Sequence, residues 1–235
     1  MTVSATQKSY LKAMGISIWK SRRELPNAKQ EEHFKKQPDI QAQDLEANGD
    51  IGWDLLRSQV AECTACELHK SRTQTVFGVG NKTADWMIVG EAPGKDEDLK
   101  GEPLVGRAGQ LLNQMLLAIG VSREQVFIAN ILKCRPPNNR DPQPEEVVAC
   151  HSFLTQQIQL VAPKVILAVG RIAAQNLLHS KETIGRIRGN VYHYSDNQIP
   201  LVATYHPAYL LRSPTEKRKV WADLVLAKNS IKANS

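Results

Sequence analysis

The chain has 235 residues, 42% of them hydrophobic, and a formal net charge of +6. That length suffices for one α/β domain with a substantial core plus an appendage, and the modest basic excess favours a polyanionic partner. No apolar run reaches the roughly 20 residues of a membrane span, and the polar N-terminus lacks a signal peptide's apolar core, so the expected location is the cytoplasm.

Residues 1–48 are polar and mixed in charge without sustained apolar periodicity, and read as a flexible arm. Within it, residues 10–23 carry Leu11, Met14, Ile18 and Trp19 beside Arg22 and Arg23. That pattern suits a docking segment, or a segment that folds back on its own domain. The domain proper covers 49–235. Ile51 to Val60 predicts a helix leading to Cys63-x2-Cys66, and short strand-like runs follow at 75–80 and 86–89. The second run stops at Gly90-Glu91-Ala92-Pro93-Gly94, a tight turn at the end of a buried strand. Ligands of open α/β sheets bind at such carboxyl ends. A helix start at Gly106 would turn its N–H groups towards an anion, and Leu111, Leu112, Met115, Leu116 and Ile119 share one face of the helix that follows.

Val126 to Ile131 is a second strand, ending near Asn130, and the prolines of 133–142 exclude regular structure there. Pro144, Glu145 and Glu146 favour a helix start, and this helix carries Cys150 towards Val161. Strands at 164–170 and 199–205, a helix over 173–178 and a last helix over 215–227 complete the pattern. The alternation predicts an α/β fold with a mostly parallel four-stranded sheet covered on both faces.

The four cysteines are Cys63, Cys66, Cys134 and Cys150. In a reducing compartment, metal binding is the better use for them than two disulfides. Zinc and a [4Fe–4S] cluster both accept four thiolates, and the spacing does not separate them. Glu91, Asn130 and His206 end three different strands, so this topology can bring them to one crevice. Asn130 offers an acceptor and two donors, suited to an amide-like edge such as a nucleobase. The loop Pro207-Ala208-Tyr209-Leu210-Leu211-Arg212 joins apolar residues to a cation, as a wedge entering DNA beside a phosphate would.

Gly90-Glu91-Ala92-Pro93-Gly94, Gly101-x-Pro103-x-Val105-Gly106-Arg107-Ala108-Gly109, Asn130-x-x-Lys133-Cys134-Arg135-Pro136-Pro137-x-Asn139-Arg140 and His206 to Arg212, with the cysteine pattern, resemble family 4 uracil-DNA glycosylases. The resemblance covers about residues 50–228. It implies a three-layer αβα fold, a structural [4Fe–4S] cluster on the four cysteines, and hydrolysis of the bond between uracil and deoxyribose in uracil-containing DNA. Glu91 then falls in the motif that handles the attacking water, Asn130 matches the uracil-reading asparagine, and His206 matches the histidine supporting charge on the uracil oxygen. Gly90, Ala92 and Leu104 match substrate-facing positions. Pro93, Gly109, Tyr209, Leu210 and Arg212 match DNA-facing ones.

Two departures stand out. Leu104 occupies a position where the family usually has phenylalanine stacked on the flipped base. Met14-Gly15-Ile16-x-x-Trp19-x-x-Arg22-Arg23 resembles the N-terminal peptide of the psi subunit of the bacterial replicative clamp loader. The expectation is a monomeric enzyme tethered to the replisome, against the alternative of a catalytically weak DNA-binding or replisome adaptor on the same fold.

Overall fold

The computed structural model describes residues 49–194 and 198–233. The arm and its docking segment 10–23 lie outside the described residues. Strands β2 (Trp86–Gly90), β3 (Val126–Asn130) and β4 (Val165–Val169) are apolar runs buried along their whole length. Strands of a parallel sheet are covered on both faces and read as continuous hydrophobic sequence for that reason. With β6 (Ile199–Thr204) they form the expected four-stranded parallel centre, in the order β3-β2-β4-β6.

Two antiparallel edge strands extend this centre to six strands. β1 (Val79–Gly80) pairs with β3, and β5 (Val191–Tyr194) pairs with β6. β5 is a part-exposed Val-Tyr-His-Tyr segment. Four residues of alternating exposure carry too little pattern to mark a strand, and pairing with β6 makes it one.

Side chains alternate between two cores. Met87, Val89, Phe127, Ala129, Ile166 and Ala168 meet α1 (Gly49–Glu62), α4 (Pro144–Val161) and α5 (Arg171–Leu177). Trp86, Ile88, Val126, Ile128, Val165 and Leu167 meet α3 (Arg107–Ala118) and α8 (Lys217–Ala233). Helices therefore sandwich the sheet in three layers. Each of the Val, Ile, Leu, Phe and Met side chains among these contributes roughly 1.5–3 kcal/mol by leaving water, so both faces must be covered. The short helices α2 (Lys95–Lys100), α6 (Ile184–Ile187) and α7 (Pro207–Leu210) cap connections.

The chain leaves β2 and β6 for the face of α3 and α8, but leaves β3 and β4 for the face of α4 and α5. Neighbouring strands thus send their connections to opposite sides, which opens a crevice beyond their carboxyl ends. The proline-rich segment is tied down beside it: Glu146 caps the Gln143 N–H at 2.8 Å and holds Arg140 at 2.9 Å. None of the described helices is long and apolar enough to cross a membrane.

Candidate functional site

Register places Gly90 directly opposite Asn130 at the carboxyl edge of the β2–β3 pair. The Asn130 side chain is 2% exposed and folds across Gly90, where a Cβ would fall on its Oδ1. Its Nδ2 is buried and has no hydrogen-bond partner among the described residues. An unsatisfied buried donor costs about 1–3 kcal/mol. It persists here at the mouth of the crevice, where an incoming acceptor can satisfy it.

Glu91 follows immediately, half-buried, with its carbonyl accepting from Leu132 N–H at 3.1 Å. Burial pushes its carboxyl up to about 7; nearby Asp141 adds to the rise and Arg171 opposes it. Asp141 and Arg171 pair at 2.6 Å, tying the proline-rich segment to the start of α5. Neither stood out in the sequence, because an aspartate between prolines and an arginine after a strand carry no signal until the fold joins them.

His206 enters from β6. Gly170 packs against it, so a Cβ at Gly170 would meet the His206 Cβ at 3.2 Å. Its Nδ1 accepts the Ala208 N–H at 3.2 Å. A backbone N–H can only donate, so Nδ1 holds a lone pair and the neutral ring carries its proton on Nε2. Burial lowers the ring's pKa, with Glu97 opposing and Arg212 reinforcing the drop. His206 is therefore a neutral donor near pH 7.

The loop after His206 divides in two. Tyr209 and Arg212 are exposed, as a nucleic-acid-facing edge requires. Leu210 corrects the expectation: it is fully buried in the core beneath α7 and cannot enter a duplex. Leu211, 40% exposed, presents the apolar side chain instead. Pro93 and Gly109 are likewise buried, against the expectation of DNA-facing positions. Pro93 holds the turn from β2 with its fixed φ. Gly109 lets the first turn of α3 lie on the Leu104 carbonyl, which any Cβ would overlap.

The N-terminus of α3 also differs from expectation. The anion it faces is the chain's own: Glu97 accepts from Val105 N–H at 3.1 Å, from Gly106 N–H at 3.4 Å and from Gly94 N–H at 3.1 Å. One carboxylate thereby joins the turn after β2 to the loop carrying Leu104. Leu104 is 7% exposed and holds a left-handed backbone, φ +52°. Arg123 clamps that conformation, donating to the carbonyls of Pro103 at 2.7 Å and Leu104 at 3.2 Å.

On the other side of β3, Cys63, Cys66, Cys134 and Cys150 are all free thiols and line one small cavity with His69, Arg72 and Lys133. Arg72 donates to Cys134 Sγ at 3.3 Å, and the Lys133 N–H donates to Cys150 Sγ at 3.4 Å. Burial pushes Cys66 and Cys134 up and Cys150 up to about 12. Burial thus favours the protonated thiol at Cys66, Cys134 and Cys150, and a bound metal's positive charge would offset that cost to hold them as thiolates. Four thiols lining one cavity, with N–H donors aimed at two of them, have the chemistry of a group held by four cysteines, although no three His, Cys, Asp or Glu side chains among the described residues are gathered closely enough to hold a metal ion.

Lys133 joins the two regions. It is 1% exposed, and its Nζ donates to the Asn130 carbonyl at 2.9 Å and to Gln157 Oε1 at 2.6 Å. Burial lowers its pKa to about 8, with Cys150 and Cys134 opposing. Gln157, itself fully buried, donates onward to the Phe77 carbonyl at 2.8 Å. A lysine between Leu132 and Cys134 reads as a surface residue in sequence, and only the fold encloses it.

The family model of the uracil DNA glycosylase superfamily matches residues 77–225. A type-4 uracil-DNA glycosylase of Archaeoglobus fulgidus is 47% identical, over 72% of this chain and 88% of its own. One from Thermotoga maritima is 43% identical over 76% of this chain and 94% of its own. One from Saccharolobus solfataricus is 42% identical over 76% and 86%.

Proposed function

Because the chain belongs to the uracil DNA glycosylase superfamily and is a uracil-DNA glycosylase, we propose that Asn130, His206 and Glu91 divide the work of removing uracil from DNA. The uracil must first leave the stack, at a cost of a few kcal/mol. Asn130 then reads its edge, Nδ2 donating to a carbonyl oxygen and Oδ1 accepting from the ring N–H. As the N-glycosidic bond breaks, positive charge builds on the sugar and negative charge on the departing base. His206 donates its Nε2–H to the base oxygen. A neutral donor preorganised in a water-poor crevice stabilises the developing anion without reorganising. Glu91, once ionised, orients water on the opposite side and offsets the sugar's charge. The backbone at Gly90 and Ala92 lines the base, Leu104 packs on its face, and Tyr209 and Arg212 meet the strand. The buried, unsatisfied Nδ2 of Asn130 carries this reading.

Incubation with a uracil-containing oligonucleotide, followed by alkali to cleave abasic sites, tests it. Cleavage that disappears in His206→Ala supports the assignment. No cleavage from wild-type protein would favour a DNA-binding adaptor on the same fold.

The cysteine cavity supports a [4Fe–4S] cluster on Cys63, Cys66, Cys134 and Cys150. When bound, the cluster supplies metal–thiolate links that fasten the end of α1, the exit of β3 and the middle of α4 together. Broad absorbance around 400 nm separates it from zinc, which is colourless. The resemblance of residues 14–23 to the psi peptide supports a tether to the replicative clamp loader, concentrating the enzyme where uracil is incorporated. Equal capture of clamp-loader subunits by wild type and Trp19→Ala would remove that tether.

A further inference from the structure

Lys133 places an ammonium in the interior against two neutral oxygens, the carbonyl of Asn130 and Oε1 of Gln157. A buried cation needs more than neutral partners, and no salt bridge to a carboxylate accompanies it among the described residues. With a metal bound, the cysteine thiolates would supply that negative charge. Lys133 lines the cysteine cavity, its own N–H is bonded to Cys150 Sγ, and Cys134 is its chain neighbour.

At the other end, Lys133 Nζ occupies the place where the β2–β3 ladder runs out. The last rungs are Ile131 N–H to the Gly90 carbonyl at 2.9 Å and Leu132 N–H to the Glu91 carbonyl at 3.1 Å. The Asn130 carbonyl takes the lysine instead, which fixes the peptide plane from which the Asn130 side chain projects over Gly90. We propose that Lys133 is a positioning residue that couples the four-cysteine centre to uracil recognition: the centre's negative charge holds the ammonium, and the ammonium holds Asn130. This rests on the base-reading role of Asn130 and on a metal–thiolate centre in the cavity.

Iron-loaded, full-length Lys133→Met tests the coupling, because methionine keeps an unbranched apolar stem and removes the ammonium. The two readouts are equilibrium binding of free uracil and the reduction potential of the metal centre. The expected variant retains wild-type iron content, binds uracil about tenfold more weakly, and has a more negative potential, since the nearby cation no longer offsets the added electron. A change in one readout without the other overturns the coupling, as does no change in either. Should Lys133→Met fail to fold, Gln157→Met, which removes the second anchor of the ammonium, decides by the same two readouts: smaller shifts of the same sign sustain the coupling, and wild-type values overturn it. Wild-type protein that holds iron but does not bind uracil would instead overturn the role of Asn130, a failure distinct from that of Lys133.

Discussion

Replacing Gly90 with alanine isolates the geometry of base reading from the stability of the fold. Gly90 is not among the positive-φ glycines, so alanine suits its backbone. The added methyl meets a single obstacle at close range, Asn130 Oδ1. That atom is the end of a side chain whose Nδ2 makes no hydrogen bond among the described residues, so the amide can swing aside without breaking an internal contact. Folding should therefore change by less than about 1 kcal/mol, a shift in melting temperature of roughly 2–4 °C for a domain of this size. The base, in contrast, loses a positioned donor and acceptor. One misplaced buried hydrogen bond costs about 1–3 kcal/mol, which lowers kcat/KM by about 5- to 150-fold. Single-turnover cleavage of a uracil oligonucleotide, beside thermal melting of the same sample, measures both. Wild-type activity in a well-folded Gly90→Ala would refute the placement of Asn130 over Gly90 as the reading geometry.

With the Glu91 carboxyl raised to about 7, kcat/KM should climb as pH rises through that value, and Glu91→Gln should flatten the limb at a lower level. The same shift acts on stability. Between a carboxyl's ordinary value and about 7 the folded form keeps a proton that the unfolded form releases, so stability falls as pH rises through that window and levels off above it; melting across pH should show this slope in wild type and lose it in Glu91→Gln. Leu104→Phe should raise activity by about 5- to 30-fold if a ring on the flipped base adds about 1–2 kcal/mol over leucine, and equal or lower activity in kinetic assays would remove the stacking role. Cys150→Ser should lose the visible absorbance and bound iron together, with a lower melting temperature; retained iron would remove Cys150 from the ligand set.

Much of this protein is legible in its sequence for local reasons. The runs 86–90, 126–130 and 165–169 are apolar throughout because both of their faces are covered, and Pro144 with Glu145 and Glu146 starts a helix wherever it stands. Glu91, Asn130 and His206 were visible because each closes such a run, and strand ends are where an open sheet binds its ligand. Tertiary structure decided what depends on partners distant in the chain. Leu210 reads like Leu211, but α7 turns one into the core and leaves the other 40% exposed. Lys133, a surface residue by type, becomes an interior cation because β3, α4 and the cysteine segment close around it. Residue type and spacing carry the short-range preferences of the backbone; burial, and with it the pKa of Glu91 and the unmet donor of Asn130, exists only once the layers have packed.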